Sequence, residues 1–371
     1  MASELAQLNE DVVFGRSGGK IIWQPRIGCW FTDKKFAGED LPAPYTDMQL
    51  PEIFRALGCS DRLYGWYNAC FRRVEHPSVK VHQQPLNETD TRITIETPVG
   101  KQIAVHRRSI NNVGTIHVKW EVETEEELKV ATWREENATW EWDQEQFDRS
   151  QREVGDLGAP AMYMPRMNIQ CLYIEKMSVE RGIFALYDWP DTVEAFFRGL
   201  EECHHRQIDL INESPINIVN FGENVHSATL SPELFLKYHM PAGQRRCERL
   251  HDAGKFVFSH WDGDCGPLLR YARETGLDGI EAITPYPQGD VTLEQIKEGL
   301  GDEMFLLDGI PAIYFDETFS EEVLAECVHR LIELFAPRLV LGISDELSST
   351  GDIERIRLVG RIVDECNAQF D

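Results

Sequence analysis

The stretch "FVFSHWDGDCGPLL" (Phe256 to Leu269) sets an imidazole, two carboxylates and a thiol within six residues, directly after an apolar run. A histidine so placed supports two chemistries. As a neutral ligand, His260 with Asp262 or Glu281 and a group from an earlier segment makes a zinc site with an open position. As one half of a general acid–base pair, it works without metal in a pocket poor in water. Spacing does not choose between them, because the partners come from separate segments. Those segments end in similar groups: "NIVNFGENVH" in Glu223, Asn224 and His226, "DGIEAI" in Glu281, "MFLLDG" in Asp308, and "LVLGISDE" in Ser344, Asp345 and Glu346. Any one of these is also what a polar loop or a cap would show. Asp262, Glu281 and Asp345 are the candidates for orienting substrate or carrying protons. His239, just before Pro241, reads first as a packed helical histidine. Cys265 reads as a small residue at a helix start, and Trp133, Trp140 and Trp142 as one packed helical face.

The elements that position these groups follow from the alternation of apolar strands with amphipathic helical stretches. "NIVNFG" (217–222), "KFVFSH" (255–260), "DGIEAI" (278–283), "MFLLDG" (304–309) and "LVLGIS" (339–344) are separated by segments such as "SEEVLAECVHRLIELFA". Strand–helix units in succession imply parallel strands with helices packed outside. The first half adds "KIIWQPRIG" (20–28), "DRLYGWYN" (61–68) and "PAMYMPR" (160–166). Together they predict an α/β fold, a (β/α)8 TIM barrel spanning 1–371 as a single domain, with its site at the C-terminal strand ends. Between the second and third strands, 79–122 shows period-two patterning in "TRITIETPVG", "KQIAVHRR" and "GTIHVKWEV", which predicts an inserted antiparallel β meander.

Composition narrows the function classes. The chain of 371 residues has 42% hydrophobic content and a formal charge of −26, which disfavours nucleic-acid phosphates and anionic lipid as partners. No run approaches the ~18 apolar residues of a membrane span, and the N-terminus lacks a signal peptide's pattern. Nine scattered cysteines without CxxC pairs read as reduced thiols of a cytoplasmic protein. There is no GxGxxG, GxxxxGK[ST], HExxH or GxSxG motif.

The segments "SPELFLKYHMPAGQRRCERLHDAGKFVFSHWDGD", "TGLDGIEAITP", "GDEMFLLDGI" and the early "GEDLPAPYTDMQLPEIFRALGC" resemble the uroporphyrinogen decarboxylase superfamily, from about Lys20 to the end. The decarboxylases themselves carry an arginine-rich first segment to grip many carboxylates. Here "QPRIGCWFTDKK" retains Arg26 alone, which points away from a polyanionic tetrapyrrole substrate. Thiol-methylating members bind zinc through His-x-Cys and a later cysteine. This chain has His260-Trp261-Asp262, and Ser344 with Asp345 in the later region, so both soft ligands are replaced by oxygen donors. The inserted strands resemble those of corrinoid-linked methyltransferases that demethylate methoxy compounds. That resemblance implies a metal-assisted methyltransferase with zinc held by His260, His239 and Glu223, and with Arg26, Trp261 and Asp308 at the substrate. It also implies cobalamin supplied by a separate corrinoid protein, because the chain has no DxHxxG motif of its own. Relatives are monomers or dimers, so a homodimer stays open. A metal-free decarboxylase or lyase of a small acid, using Arg26 and Asp262, is the alternative on the same fold.

Overall fold

A computed structural model describes residues 3–110 and 113–370. After a short first strand β1 (Ile22–Trp23), the chain forms β2 (Phe71–Val74), the meander β3 (Lys80–Pro85), β4 (Asp90–Thr97), β5 (Gly100–Arg108) and β6 (Thr115–Lys119), and then β7 (Thr139–Trp142). It continues through β8 (Ala161–Met164), β9 (Ile218–Phe221), β10 (Phe256–His260), β11 (Gly279–Glu281), β12 (Phe305–Pro311) and β13 (Leu339–Ser344), each followed by helical segments. β1 and β8 to β13 make one parallel sheet of seven strands in the order β1-β13-β12-β11-β10-β9-β8, curled into a barrel. β3 to β6 form the expected antiparallel insertion, with successive strands paired.

Two sequence expectations are corrected. "DRLYGWYN" is not a strand: Tyr64–Asn68 is helical, and Leu63, Tyr67 and Cys70, at helical spacing, are all fully buried. The gap it leaves between β1 and β8 is spanned by 59–62, where Ser60 N–H donates to Trp23 C=O (3.1 Å) and Asp61 N–H to Leu157 C=O (2.9 Å). The tryptophans do not share a helix either. Trp133 lies on Glu125–Asn137, whereas Trp140 and Trp142 alternate along β7, which pairs with β2 and sets Trp142 opposite Phe71. Alternation W-E-W has period two, and the helix has already ended at Ala138, which is extended.

Alternation along the barrel strands decides what reaches the interior. On β10, Phe256 and Phe258 point into the barrel with Ile22, Ala161, Ile218, Phe305, Leu307 and Val340, while Val257 packs outward against the helices. The same parity sends Asn220, His260, Glu281 and Tyr163 inward one step closer to the C-terminal mouth. Large apolar side chains close the lower barrel, and a polar layer sits on top of them.

Candidate active site

The polar layer is organised around Glu281, which is fully buried at the end of β11. Its carboxylate accepts hydrogen bonds from His260 Nδ1 (2.9 Å), Asn220 Nδ2 (2.6 Å), Tyr64 Oη (3.1 Å), Tyr163 Oη (3.4 Å) and Arg62 Nη1. An ionised carboxylate only accepts, so His260 carries its proton on Nδ1. Burial opposes ionisation of Glu281, but the His260 hydrogen bond and the Arg62 and Arg26 charges hold it well below the usual carboxylate range. Arg62 enters from the segment that bridges the sheet. It also donates to both Asp308 oxygens and, through Nε, to Gln24 Oε1 (3.2 Å). Asp308 reaches this point because its φ of 81° breaks the alternation of β12. Its Oδ1 occupies the space of a side chain on Gly342, where an added Cβ would lie 2.0 Å away. Burial pushes Asp308 up to about 6, against the pull of Arg62.

Above this layer lies the rim. His260 Nε2 is 3.6 Å from Asp262 Oδ2, and Asn224 Nδ2 donates to the same oxygen (3.2 Å). Ligand atoms of His260, Asp262 and Asp345 all lie within 4.8 Å of one another. Arg26 stands among Asp345 (3.6 Å), Glu346 (3.5 Å) and Asp308 (3.8 Å), yet its buried Nη1 makes no hydrogen bond. Burial alone would discharge His260, but hydrogen bonds to Asp262 and Glu281 outweigh it and raise the imidazole to about 9. Asn224, Ala282 and Asp345, just past β9, β11 and β13, and Asp308 within β12 have φ of 55°, 70°, 68° and 81°, so non-glycine strain gathers around the mouth. A cavity of about 380 Å³ opens here, lined by Arg26, Tyr163, Arg166, Asn224, His260 and Asp345 among others. A larger groove of about 900 Å³ lies against the N-terminal helix and Phe370; its Arg16 and Arg55 are paired with Asp11 (2.9 Å) and Asp156 (2.7 Å).

Of the nine residues given metal, catalytic or substrate roles from the sequence, His260, Asp262, Glu281, Asp345, Arg26 and Asp308 come together at this mouth, with Asp308 beneath the rim rather than on the cavity wall. The other three lie elsewhere. Trp261 has the opposite parity to His260, so it packs outward on Phe235 (centroids 5.6 Å apart) and is 1% exposed. Glu223 is turned away to accept from Met167 N–H (3.1 Å) beside Arg246 (3.6 Å), and burial lifts it to about 7. His239 is stacked on Phe235 in an irregular helical turn, and burial drops its imidazole to about 3. The expected set of His260, His239 and Glu223 is therefore not the one assembled among the described residues; His260, Asp262 and Asp345 are. Arg62, Tyr64, Tyr163, Asn220 and Arg166 were not anticipated. Asn220 had a signal, because it shares the inward parity of Ile218. Arg62 carries none, because the aromatics of "DRLYGWYN" suit a strand and not the bridge that it forms.

No family model and no curated protein matches the sequence. Among solved structures, the chain is similar to a methyltransferase from Methanosarcina mazei, at 11% identity over 96% of both chains with a TM-score of 0.53. It is also similar to a putative vitamin-B12 independent methionine synthase from Listeria monocytogenes, at 15% identity over 60% of this chain and 68% of that one, TM-score 0.40. A B12-independent methionine synthase from Shewanella sp. W3-18-1 shares 9% identity over 86% and 85%, TM-score 0.39. At 11% identity the likeness to the Methanosarcina mazei structure is one of fold, an α/β barrel over nearly the whole chain. The barrel expected from the sequence thus stands. Among the described residues no helix is long and apolar enough to cross a membrane.

Proposed function

We propose that this protein is a methyltransferase that moves a methyl group between a small, oxygen-bound methyl donor and a corrinoid carried by a separate protein. One observation carries the reading: His260 Nε2, Asp262 and Asp345 converge on the rim while Glu281 takes the other nitrogen of His260. A ligating histidine whose second nitrogen donates to a buried carboxylate is held in one tautomer and made more basic. The group therefore fits a divalent cation. One nitrogen and two carboxylate donors suit zinc with a position left for substrate oxygen. Zinc bound there would polarise the donor oxygen and lower the cost of its developing negative charge.

The chain's own residues have separate tasks. Glu281 fixes the His260 ring, and Arg62 fixes Glu281. Asn224 holds Asp262 at the rim. As the carbon–oxygen bond breaks, the methyl group passes to the corrinoid and the oxygen keeps the electron pair. In the metal-free protein His260 is the group that holds a proton facing the rim, and it could supply that oxygen directly. The barrel mouth would face the corrinoid protein.

Metal analysis of the purified protein, with a screen for methyl transfer to cob(I)alamin from methoxy compounds, tests the reading. Stoichiometric zinc that disappears in His260→Ala, together with transfer, is the expected result. Carbon dioxide release from a small acid without corrinoid would overturn it in favour of a lyase.

A further inference from the structure

The inserted sheet β3–β6 has two faces, and they differ in what meets them. Strand register puts Ile95, Gln102 and Ala104 on the inner face, where all three are buried. Gln102 donates there to Glu127 C=O (3.2 Å) of the helix Glu125–Asn137 and accepts from Arg134 (3.0 Å). Residues of the opposite parity point to solvent. Ile103 and Val105 of β5 and Ile116 of β6 lie on this outer face, and Ile116 is 56% exposed. Lys80, Arg92, Lys101 and Arg107 share it with them. Arg107 is held by Asp90 (2.7 Å), but among the described residues no ion pair joins Lys80, Arg92 or Lys101. The other carboxylate of the face, Glu96, stands 3.8 Å from His82. Apolar side chains among free cations on a sheet surface suit an acidic protein partner.

The chain itself supplies that partner. From Lys80 to Lys119 there are six Lys and Arg against three Asp and Glu, or +3, so the total of −26 leaves −29 on the remainder. A basic face on so acidic a protein complements the barrel of another copy, whereas an anionic lipid surface would repel that remainder. Two outer faces would repel each other, since like charges oppose. The sheet edges are guarded as well: Lys80 and Pro85 blunt β3, and a bulge between β5 and β6 disturbs the other edge. We propose that the outer face of the inserted sheet docks on the acidic barrel surface of a second copy of this chain, each copy giving its sheet to the other in a closed dimer. Size supports the exchange. Strands of 6, 8, 9 and 5 residues, at about 3.4 Å per residue and about 4.8 Å between strands, give the face roughly 450 Å². One contact buries about twice that over both partners, short of the ~1,200 Å² at which stable interfaces begin, and two reciprocal contacts exceed it.

Sedimentation velocity of the full chain is the test. The wild type should be a dimer at low salt, and its Kd should rise roughly tenfold between about 0.05 and 0.5 M salt as the charges are screened. Each substitution enters both contacts. Arg92→Glu should therefore raise the Kd by about tenfold or more, whereas Arg361→Glu, an equal charge change on the helix Glu354–Asn367, should shift it less than about threefold. Ile116→Gln, which leaves the charge untouched, should also raise it by about tenfold. A monomer at low salt, or a dimer with the wild-type Kd in Arg92→Glu and Ile116→Gln, overturns the proposal. Open-ended growth with concentration does so too, because the contacts would then not close. A monomer that binds phosphatidylserine vesicles would overturn it in favour of lipid. Arg92→Glu decides alone if Ile116→Gln aggregates. None of these outcomes bears on the reading of the mouth, whose cavity this face does not line.

Discussion

The buried charge network beside the insertion and the one at the mouth differ in how they end. Beside the insertion, Lys176 meets Glu121 (3.1 Å) and Glu135 (3.2 Å), Arg73 meets Glu135 (3.0 Å), and Arg134 meets Glu75 (2.7 Å). Burial works against Glu121 and Glu135 there, but Lys176 and the arginines hold both below the usual carboxylate range, Glu135 at about 2. None of these residues lines the mouth cavity. At the mouth the same kind of pairing around Glu281 passes into a rim where groups are pulled in opposite directions: Asp308 up to about 6, His260 up to about 9, and Arg26 with an unmet Nη1. Buried charge by itself marks architecture. Buried charge that stops short of its partners at a cavity marks a site.

The comparison can be broken most forcefully at its two central carboxylates. Glu281→Ala leaves Arg62 with Asp308 alone and removes the Nδ1 partner of His260, and should cost about 3 kcal/mol of stability in denaturant unfolding along with all turnover. Glu135→Ala leaves Lys176 with Glu121 and Arg73 with Glu75 and should cost a similar amount, but the folded fraction should keep the wild-type kcat. Loss of kcat in both would erase the distinction. His260→Ala should lower methyl transfer by about 10²–10⁴-fold, with a smaller effect on unfolding.

A subtler contrast is in pH. His260 keeps its proton up to about 9 when folded but only to its ordinary 6.5 when unfolded. Its contribution to stability is therefore complete below about 6.5 and is lost as pH rises through about 9. Thermal melts of chelated protein between pH 7 and 9 should show a falling Tm, with a shallower slope in His260→Ala. The smallest effect belongs to Glu223→Gln, whose amide oxygen can still accept from Met167. Stability should change by less than about 1 kcal/mol near pH 4.5, where the folded carboxyl is also uncharged. The variant should also lose the decline that wild type shows from about 4.5 to about 7, where only the folded carboxyl still holds its proton.

Much of the barrel was legible because strand–helix alternation and period two are local signals. They found β8 to β13 and the insertion, and they put His260, Glu281 and Asp345 at one end. The same signals misplaced residues wherever the backbone departs from regular geometry. Asp308 turns inward only because of its positive φ, and 59–70 folds as a bridge and a helix although its aromatics suit a strand. Trp261 could have been placed correctly, since strict alternation from His260 sends it outward. Glu223 and His239 follow only from the family resemblance, and no local pattern places them at the mouth. Which carboxylates meet His260 depends on the loops after β10 and β13, and no spacing in the sequence encodes that.

The bridge at 59–62 joins two matters usually kept apart. Among the described residues, two backbone hydrogen bonds tie it to Trp23 of β1 and to Leu157 ahead of β8, while Arg62 reaches through to clasp Glu281 and Asp308 on the far staves. That guanidinium acts as a rivet for the cylinder as well as a prop for the chemistry. Closing the ring and arming the mouth are thus one assembly event, and a molecule with a sprung seam would also have a disarmed centre.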